Sequence, residues 1–102
     1  MTVKPETRLH NKIRDRLQER GAWVTKIHGG IYSSGVPDLL ACYRGFFLGL
    51  EVKLPTNRSQ ATKLQKAQLR GIRRADGYGY VIRSVEAADT ICDAIDRRID
   101  GS

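Results

Sequence analysis

The sequence predicts a small α/β fold in which a mixed sheet is flanked by helices. Apolar residues recur with helical spacing in three segments, four short segments rich in strand-forming residues lie between them, and turn-forming residues separate these elements. A chain of 102 residues supplies one domain, and no repeat, low-complexity tract or linker divides residues 1–102. The predicted element order is therefore αβββαβα.

The chain begins with a predicted amphipathic helix over residues 5 to about 20. Its apolar residues recur at four-residue intervals, at Leu9, Ile13 and Leu17. Residues 22–27 are rich in β-branched and aromatic side chains and predict the first strand. Residues 31–37 contain two serines, a glycine and a proline, and predict a loop.

The next two predicted strands form a hairpin. Residues 39–43 and 46–53 are apolar on both faces, which is typical of central strands covered on each side. Arg44 and Gly45 between them predict a two-residue turn. The two cysteines, Cys42 and Cys92, lie in apolar segments without metal-ligand spacing, so we expect reduced thiols in the core and neither a disulfide nor a zinc site.

The second half of the chain predicts a helix, a strand and a final helix. Ser59 is the expected N-cap of a helix running to about residue 75, after a polar connection over residues 54–58. Residues 78–83 predict the fourth strand. Ser84 is the expected cap of a last helix, whose apolar face comprises Ala88, Ile91, Cys92, Ile95 and Ile99.

The charge balance favours a polyanionic partner. Eighteen Lys and Arg residues against eleven Asp and Glu residues give a formal net charge of +7, and basic residues bind phosphates with release of counterions. A merely solvated basic surface is the alternative. No apolar run approaches the roughly 20 residues of a membrane span, and the N-terminus lacks the pattern of a secretory signal. We therefore expect a cytoplasmic protein with no membrane partner.

Three charged residues, Asp38, Glu51 and Lys53, lie in the most apolar part of the sequence. If Arg44 and Gly45 form a two-residue turn, counting back along both strands places Asp38 opposite Glu51. Two carboxylates in register repel each other, and a divalent cation between them would relieve that repulsion. The alternative is structural, in which Lys53 simply neutralises two partly exposed carboxylates.

A family resemblance favours the first alternative. The chain resembles the VRR-NUC family of the PD-(D/E)XK nuclease superfamily, whose core order is αβββαβ, in the small stand-alone form common in phages and bacteria. The resemblance extends over residues 6–86. Its motifs are Gly35-Val36-Pro37-Asp38-Leu39, then Glu51-Val52-Lys53, and then Thr62-Lys63-Leu64-Gln65.

The resemblance implies roles for individual residues. Asp38 and Glu51 would be ligands of Mg²⁺ or Mn²⁺, with the Val52 carbonyl as a further ligand, and Lys53 would act on the attacking water and the phosphate. Gln65 would contact a ligand or the scissile phosphate, unless it caps sheet backbone.

The first helix carries two further polar residues near the expected site. Glu6 matches a glutamate that joins the metal site in this family, although a first-turn carboxylate is also favoured by the helix dipole. His10 is more typical of a packed or rim residue than of a base.

The expected function is a metal-dependent endonuclease acting on DNA. The resemblance implies a homodimer that cuts branched substrates such as four-way (Holliday) junctions. The alternatives are a nuclease for flaps or single strands and a non-catalytic basic DNA-binding accessory protein. Expected DNA contacts flank the loops into Asp38 and out of Lys53, at Lys26, His28, Tyr32, Ser33, Ser34 and Arg58.

Overall fold

A computed structural model describes residues 3–28, 35–56, 58 and 60–101 of the chain. The elements are α1 (Pro5–Glu19), β1 (Trp23–Lys26), β2 (Leu39–Tyr43), β3 (Phe46–Val52), α2 (Lys63–Arg74), β4 (Tyr78–Ile82) and α3 (Val85–Asp100). This is the predicted order αβββαβα, and the predicted α/β fold with a mixed sheet is confirmed. No helix in the described ranges is long and apolar enough to cross a membrane.

The four strands form one sheet in the order β1-β2-β3-β4. β1, β2 and β3 pair antiparallel, whereas β3 and β4 are parallel. α2 connects the parallel pair and packs on both of its strands, as a crossover between parallel strands requires. The close approach is possible because β4 presents Gly79 to α2, where a Cβ atom would lie 2.5 Å from the Leu69 carbonyl oxygen.

The core lies on the other face of the sheet, against α1 and α3. Side chains of β2 and β3 alternate across the sheet, and the core-facing set is fully buried at Leu39, Ala41, Leu48, Leu50 and Val52. Ile13 and Leu17 of α1 and Ala88, Cys92 and Ile95 of α3 complete this layer. The predicted apolar stripes of α1 and α3 are thereby confirmed, except that Ile99 near the end of α3 is exposed.

An ion-pair network fixes α1 to α3. The Arg20 guanidinium, just after α1, lies within 3.0 Å of carboxylate oxygens of three α3 residues, Asp89, Asp93 and Asp96. This network holds the C-terminal end of α1, and the N-terminal half of the helix extends toward the start of β2, where His10 lies near Asp38.

Two predictions about the other sheet face are wrong. Cys42 is exposed, and its neighbour across the hairpin, Phe47, is 45% exposed. The hairpin is therefore not covered on both sides. The reason is that α2 lies over β3 and β4, so the outer face of β2 carries apolar residues without the helix cover that the sequence pattern suggested.

The predicted start of α2 is also wrong. The helix begins at Lys63 with Thr62 as its N-cap, and Thr62 and Gln65 form a capping box in which each side chain binds the other residue's backbone N–H. Position 59 lies outside the described residues. The capping box is the stronger helix-start signal because it satisfies two backbone donors, and the residue three positions after Ser59 is a threonine rather than Glu or Gln.

Candidate functional site

The hairpin register brings Asp38 beside Glu51, as predicted. Tyr43 pairs with Phe46 and Leu39 with Leu50, so the next position in each direction places Asp38 opposite Glu51. The turn residues Arg44 and Gly45 have φ values of 50° and 89°, the positive values that favoured two-residue hairpin turns require. Because a two-residue turn makes Tyr43 and Phe46 cross-strand partners, counting residues outward from the turn gives the partner of every other residue in the hairpin.

The Asp38 side chain is attached to β3 by a hydrogen bond. Its Oδ2 atom accepts from the backbone N–H of Val52 at 2.9 Å, and the Asp38 carbonyl accepts from the N–H of Ile27 at 2.8 Å. Both the main chain and the side chain of Asp38 are therefore fixed between β1 and β3. The carboxylate points to the same region as Glu51 because the two residues share a sheet face.

Glu51 is the most buried charged residue of this region, with 3% of its surface exposed. Its Oε2 atom accepts from Gln65 Nε2 at 3.1 Å and lies 3.7 Å from Lys53 Nζ. Its Oε1 atom is buried and has no hydrogen-bond partner among the described residues. Burial and the adjacent Asp38 carboxylate raise the pKa of Glu51 from 4.5 to about 7, against the opposing influence of Lys53.

α1 adds a histidine and a second glutamate at the rim. His10 Nε2 lies 3.6 Å from Asp38 Oδ2 and 3.9 Å from Glu6 Oε1. The same nitrogen is buried without a hydrogen-bond partner in the described part of the chain, while the Glu6 side chain is 58% exposed. His10 thus stands between Glu6 and Asp38. This position was not predictable from the sequence, because the neighbours of His10 depend on how α1 crosses the sheet.

Gln65 belongs both to the helix cap and to the carboxylate site. Its Oε1 accepts from the Thr62 backbone N–H at 2.8 Å, which leaves the amide Nε2 directed at Glu51. A capping-box interaction therefore fixes the amide orientation that donates to the carboxylate. Gln65 thus contacts the Glu51 carboxylate, and its contact with a ligand or with the scissile phosphate stays a prediction.

The residues present fit a hard divalent cation that retains water ligands. In the described ranges no three His, Cys, Asp or Glu side chains converge as a complete metal cage. Asp38 and Glu51 nevertheless supply two adjacent carboxylates, and Glu51 Oε1 is a buried acceptor with no partner among these ranges. Mg²⁺ is commonly bound by one or two carboxylates, with waters and substrate phosphate completing its shell. The participation of Glu6 and of the Val52 carbonyl stays a prediction.

The predicted DNA-contacting residues are only partly brought together. Lys26 Nζ donates to Asn11 on α1 at 3.0 Å, so its ammonium lies beside that helix. His28 and Arg58 are exposed residues of the connections that precede Asp38 and follow Lys53, respectively. The other three predicted contacts lie outside the described residues, at Tyr32, Ser33 and Ser34.

The raised pKa of Glu51 predicts a pH dependence of stability. Between about pH 4.5 and pH 7 the folded protein retains a proton on Glu51 that the unfolded chain has lost, so the free energy of unfolding falls as pH rises through this window and remains lower above it. In EDTA, we expect Tm to fall from pH 5 to pH 8 by roughly 5 °C more in the wild type than in Glu51→Gln. Equal slopes in differential scanning calorimetry would contradict the assigned environment of Glu51.

Two variants separate the roles of the α2 cap and of the Gln65 amide. Thr62→Ala and Gln65→Met each break the capping box, at a cost of about 1 kcal/mol of stability. Only Gln65→Met also removes the donor to Glu51. We expect both to lower Tm and Gln65→Met alone to slow the single-turnover DNA cleavage that is proposed below, by about tenfold or about 1.4 kcal/mol. The exposed Gln68→Met is the control. Equal rates for Thr62→Ala and Gln65→Met would show that the amide acts only through the helix.

One solved structure that resembles this chain is described as a "VRR_NUC domain". It is 23% identical in sequence, the alignment covers 89% of this chain and 97% of that chain, and the TM-score is 0.71. No family model and no curated protein matches the chain. At this level of identity the likeness establishes the fold, and it confirms the fold that the sequence resemblance implied.

Proposed function

We propose that this chain, which has the fold of a VRR_NUC domain, is a metal-dependent nuclease that hydrolyses DNA phosphodiester bonds. The observation that carries the proposal is the pair of carboxylates Asp38 and Glu51, of which Glu51 is buried with one oxygen unpartnered in the described ranges. A lysine lies 3.7 Å from the other oxygen. Burying like charges together is costly unless a cation binds them, so this arrangement favours a site for a cation.

The residues divide the chemistry of hydrolysis among them. Asp38 and Glu51 would hold Mg²⁺ or Mn²⁺, which supplies a water of lowered pKa and polarises the phosphoryl oxygens. Lys53 places an ammonium where negative charge develops on the phosphate during attack by water. Gln65 fixes the orientation of the Glu51 carboxylate through its hydrogen bond. The water oxygen bonds to phosphorus as the bond to the leaving oxygen breaks, and the leaving oxygen acquires a proton.

The net charge and the size of the chain support the finer part of the proposal. A charge of +7 favours a phosphate backbone as partner, and a C2 homodimer would present two such surfaces and two sites symmetrically. We therefore propose that the enzyme is a homodimer that acts on branched DNA, with four-way junctions as the preferred substrate. A flap or single-strand nuclease is the second candidate within the same chemistry.

The opposing hypothesis is a basic DNA-binding accessory protein with structural carboxylates. In a structural role, Lys53 and Gln65 would satisfy both oxygens of Glu51. Instead both contact the same oxygen, Oε2. A structural role would leave Oε1 without a donor unless Glu51 shared a proton with Asp38, whereas a cation would satisfy both carboxylates.

A panel of end-labelled substrates tests the proposal. Four-way junction, flap, duplex and single strand are incubated with the protein and Mg²⁺ or Mn²⁺, while sedimentation equilibrium measures the oligomeric state. We expect paired incisions in the junction by a dimer. Preferential cutting of flaps or single strands would support the second candidate, and metal-independent binding to all four substrates without cleavage would support the accessory protein.

A further inference from the structure

An open groove of about 510 Å³ lies at the carboxyl end of β4, the strand next to the one that carries Glu51. Val81, which lines the groove, pairs with Glu51 across the parallel strands. The backbone N–H of Lys53 donates to the Ile82 carbonyl at 3.0 Å. Since neighbouring strands are about 4.8 Å apart, the groove begins one strand away from Glu51 and two strands away from Asp38.

Two arginines line the groove. Arg58 comes from the connection that follows Lys53, and Arg83 comes from the end of β4. The Arg83 guanidinium donates through Nη1 to the Leu54 carbonyl at 2.9 Å, which ties β4 to the connection that follows β3. The Arg83 guanidinium therefore lies beside the residue that follows Lys53, and Arg58 lines the same groove.

The lining chemistry suits one nucleotide of a DNA strand. Besides the arginines, the groove presents the amide of Gln60 and the apolar side chains of Val81 and Ala87, and no carboxylate among the described lining residues. Glu86, in the first turn of α3, is exposed and is close in sequence to the lining residues Ser84 and Ala87. Its carboxylate is the nearby negative charge that would oppose the binding of a phosphate. Planar guanidinium groups match phosphate oxygens bidentately, and a groove of this volume is within the range of small-ligand sites. The combination of a cationic wall and an apolar floor distinguishes it from a solvated basic surface.

We propose that this groove is a substrate subsite, which holds a nucleotide of the cleaved strand next to the scissile bond, with Arg58 and Arg83 contacting its phosphodiester. The proposal rests on the proposed nuclease function for the position of the scissile phosphate, at Glu51 and Lys53. The strand would then leave the carboxylate site across the end of β4. On the Asp38 side, α1 bounds the site with Glu6 and His10. One side of the scissile bond would therefore face arginines, and the other side would face a glutamate and a histidine.

Binding measured without cleavage tests the groove independently of the catalytic proposal. Fluorescence anisotropy in EDTA over a salt series compares wild type with Arg58→Gln, Arg83→Gln and Arg97→Gln. Arg97 is an exposed control near the far end of α3, about 15 Å along the helix from the nearest groove residue, Ala87. We expect Arg58→Gln and Arg83→Gln each to weaken binding about tenfold and to reduce the salt slope by about 1, whereas Arg97→Gln leaves both unchanged. Because the Arg58 side chain is exposed, we expect its substitution to leave the fold intact.

A neutral backbone linkage locates the contact on the strand. Methylphosphonate replaces one phosphate at a time beside the cleaved bond, and single-turnover rates are measured below saturation. If Arg58 contacts one phosphate, neutralising that phosphate should slow cleavage by the wild type about tenfold. The same substitution should slow cleavage by Arg58→Gln very little, because the arginine that contacts this phosphate is already absent. Equal sensitivity of both proteins at every position would overturn the subsite. Salt slopes unchanged in both groove variants would also overturn it, even if the wild type cleaves. Arginine-dependent binding without any cleavage would support the groove as a DNA-binding site and contradict the nuclease.

Discussion

Asp38→Asn and Glu51→Gln are each expected to lower single-turnover cleavage at least about a thousandfold while the protein still binds DNA. Each variant removes one of two negative charges that would hold the divalent cation, and a loss of several kcal/mol of transition-state stabilisation corresponds to this factor. Binding should persist or tighten, because removal of a carboxylate reduces repulsion of the phosphate. Rapid-quench kinetics measures the rate and anisotropy the affinity.

A matched substitution outside the site controls for loss of charge. Glu19→Gln makes the same chemical change at an exposed residue of α1 that pairs with Arg16. We expect full activity from this variant. Full cleavage by both Asp38→Asn and Glu51→Gln would remove the basis for a shared cation.

Lys53→Ala should lower the single-turnover rate by a factor on the order of 10² or more, with binding changed less than about threefold. The Lys53 side chain is 17% exposed and its ammonium lies 3.7 Å from Glu51 Oε2, so it adjoins the proposed cation. A group that stabilises charge developing in the transition state affects the rate more than the affinity.

The control for Lys53→Ala is Arg97→Ala, which removes an exposed positive charge near the far end of α3. Its rate should match that of the wild type. The contrary result is a loss of affinity for DNA in Lys53→Ala, together with a cleavage rate that reaches the wild-type value once the protein concentration is high enough to saturate the DNA. Lys53 would then be a phosphate anchor with no part in the chemical step.

The pairing of Asp38 with Glu51 was predictable from sequence because it depends on local counting. A two-residue turn at Arg44 and Gly45 fixes every cross-strand partner of the hairpin, and the strand register agrees with that count. The helical stripes of α1 and α3 are predictable for the same reason, since a fixed period relates each residue to its face.

Features that depend on how elements pack were not predictable from sequence. The exposure of Cys42 follows from the limited reach of α2 over the sheet, and the position of His10 beside Asp38 follows from the direction of α1. The groove with Arg58 and Arg83 exists only because β4 pairs parallel to β3. The capping role of Gln65 was an exception, because Thr62-Lys63-Leu64-Gln65 has the capping-box spacing; this signal was present in the sequence.

The most direct test of the shared cation is cleavage of a labelled four-way junction as the metal is varied. Wild type and Asp38→Asn are incubated with the junction in EDTA, and Mg²⁺ or Mn²⁺ is then added in excess. The carboxylate site predicts no product in EDTA, product from wild type in at least one metal, and none from Asp38→Asn over the same time. Product in EDTA, or equal product from both proteins, would contradict a cation held by Asp38 and Glu51.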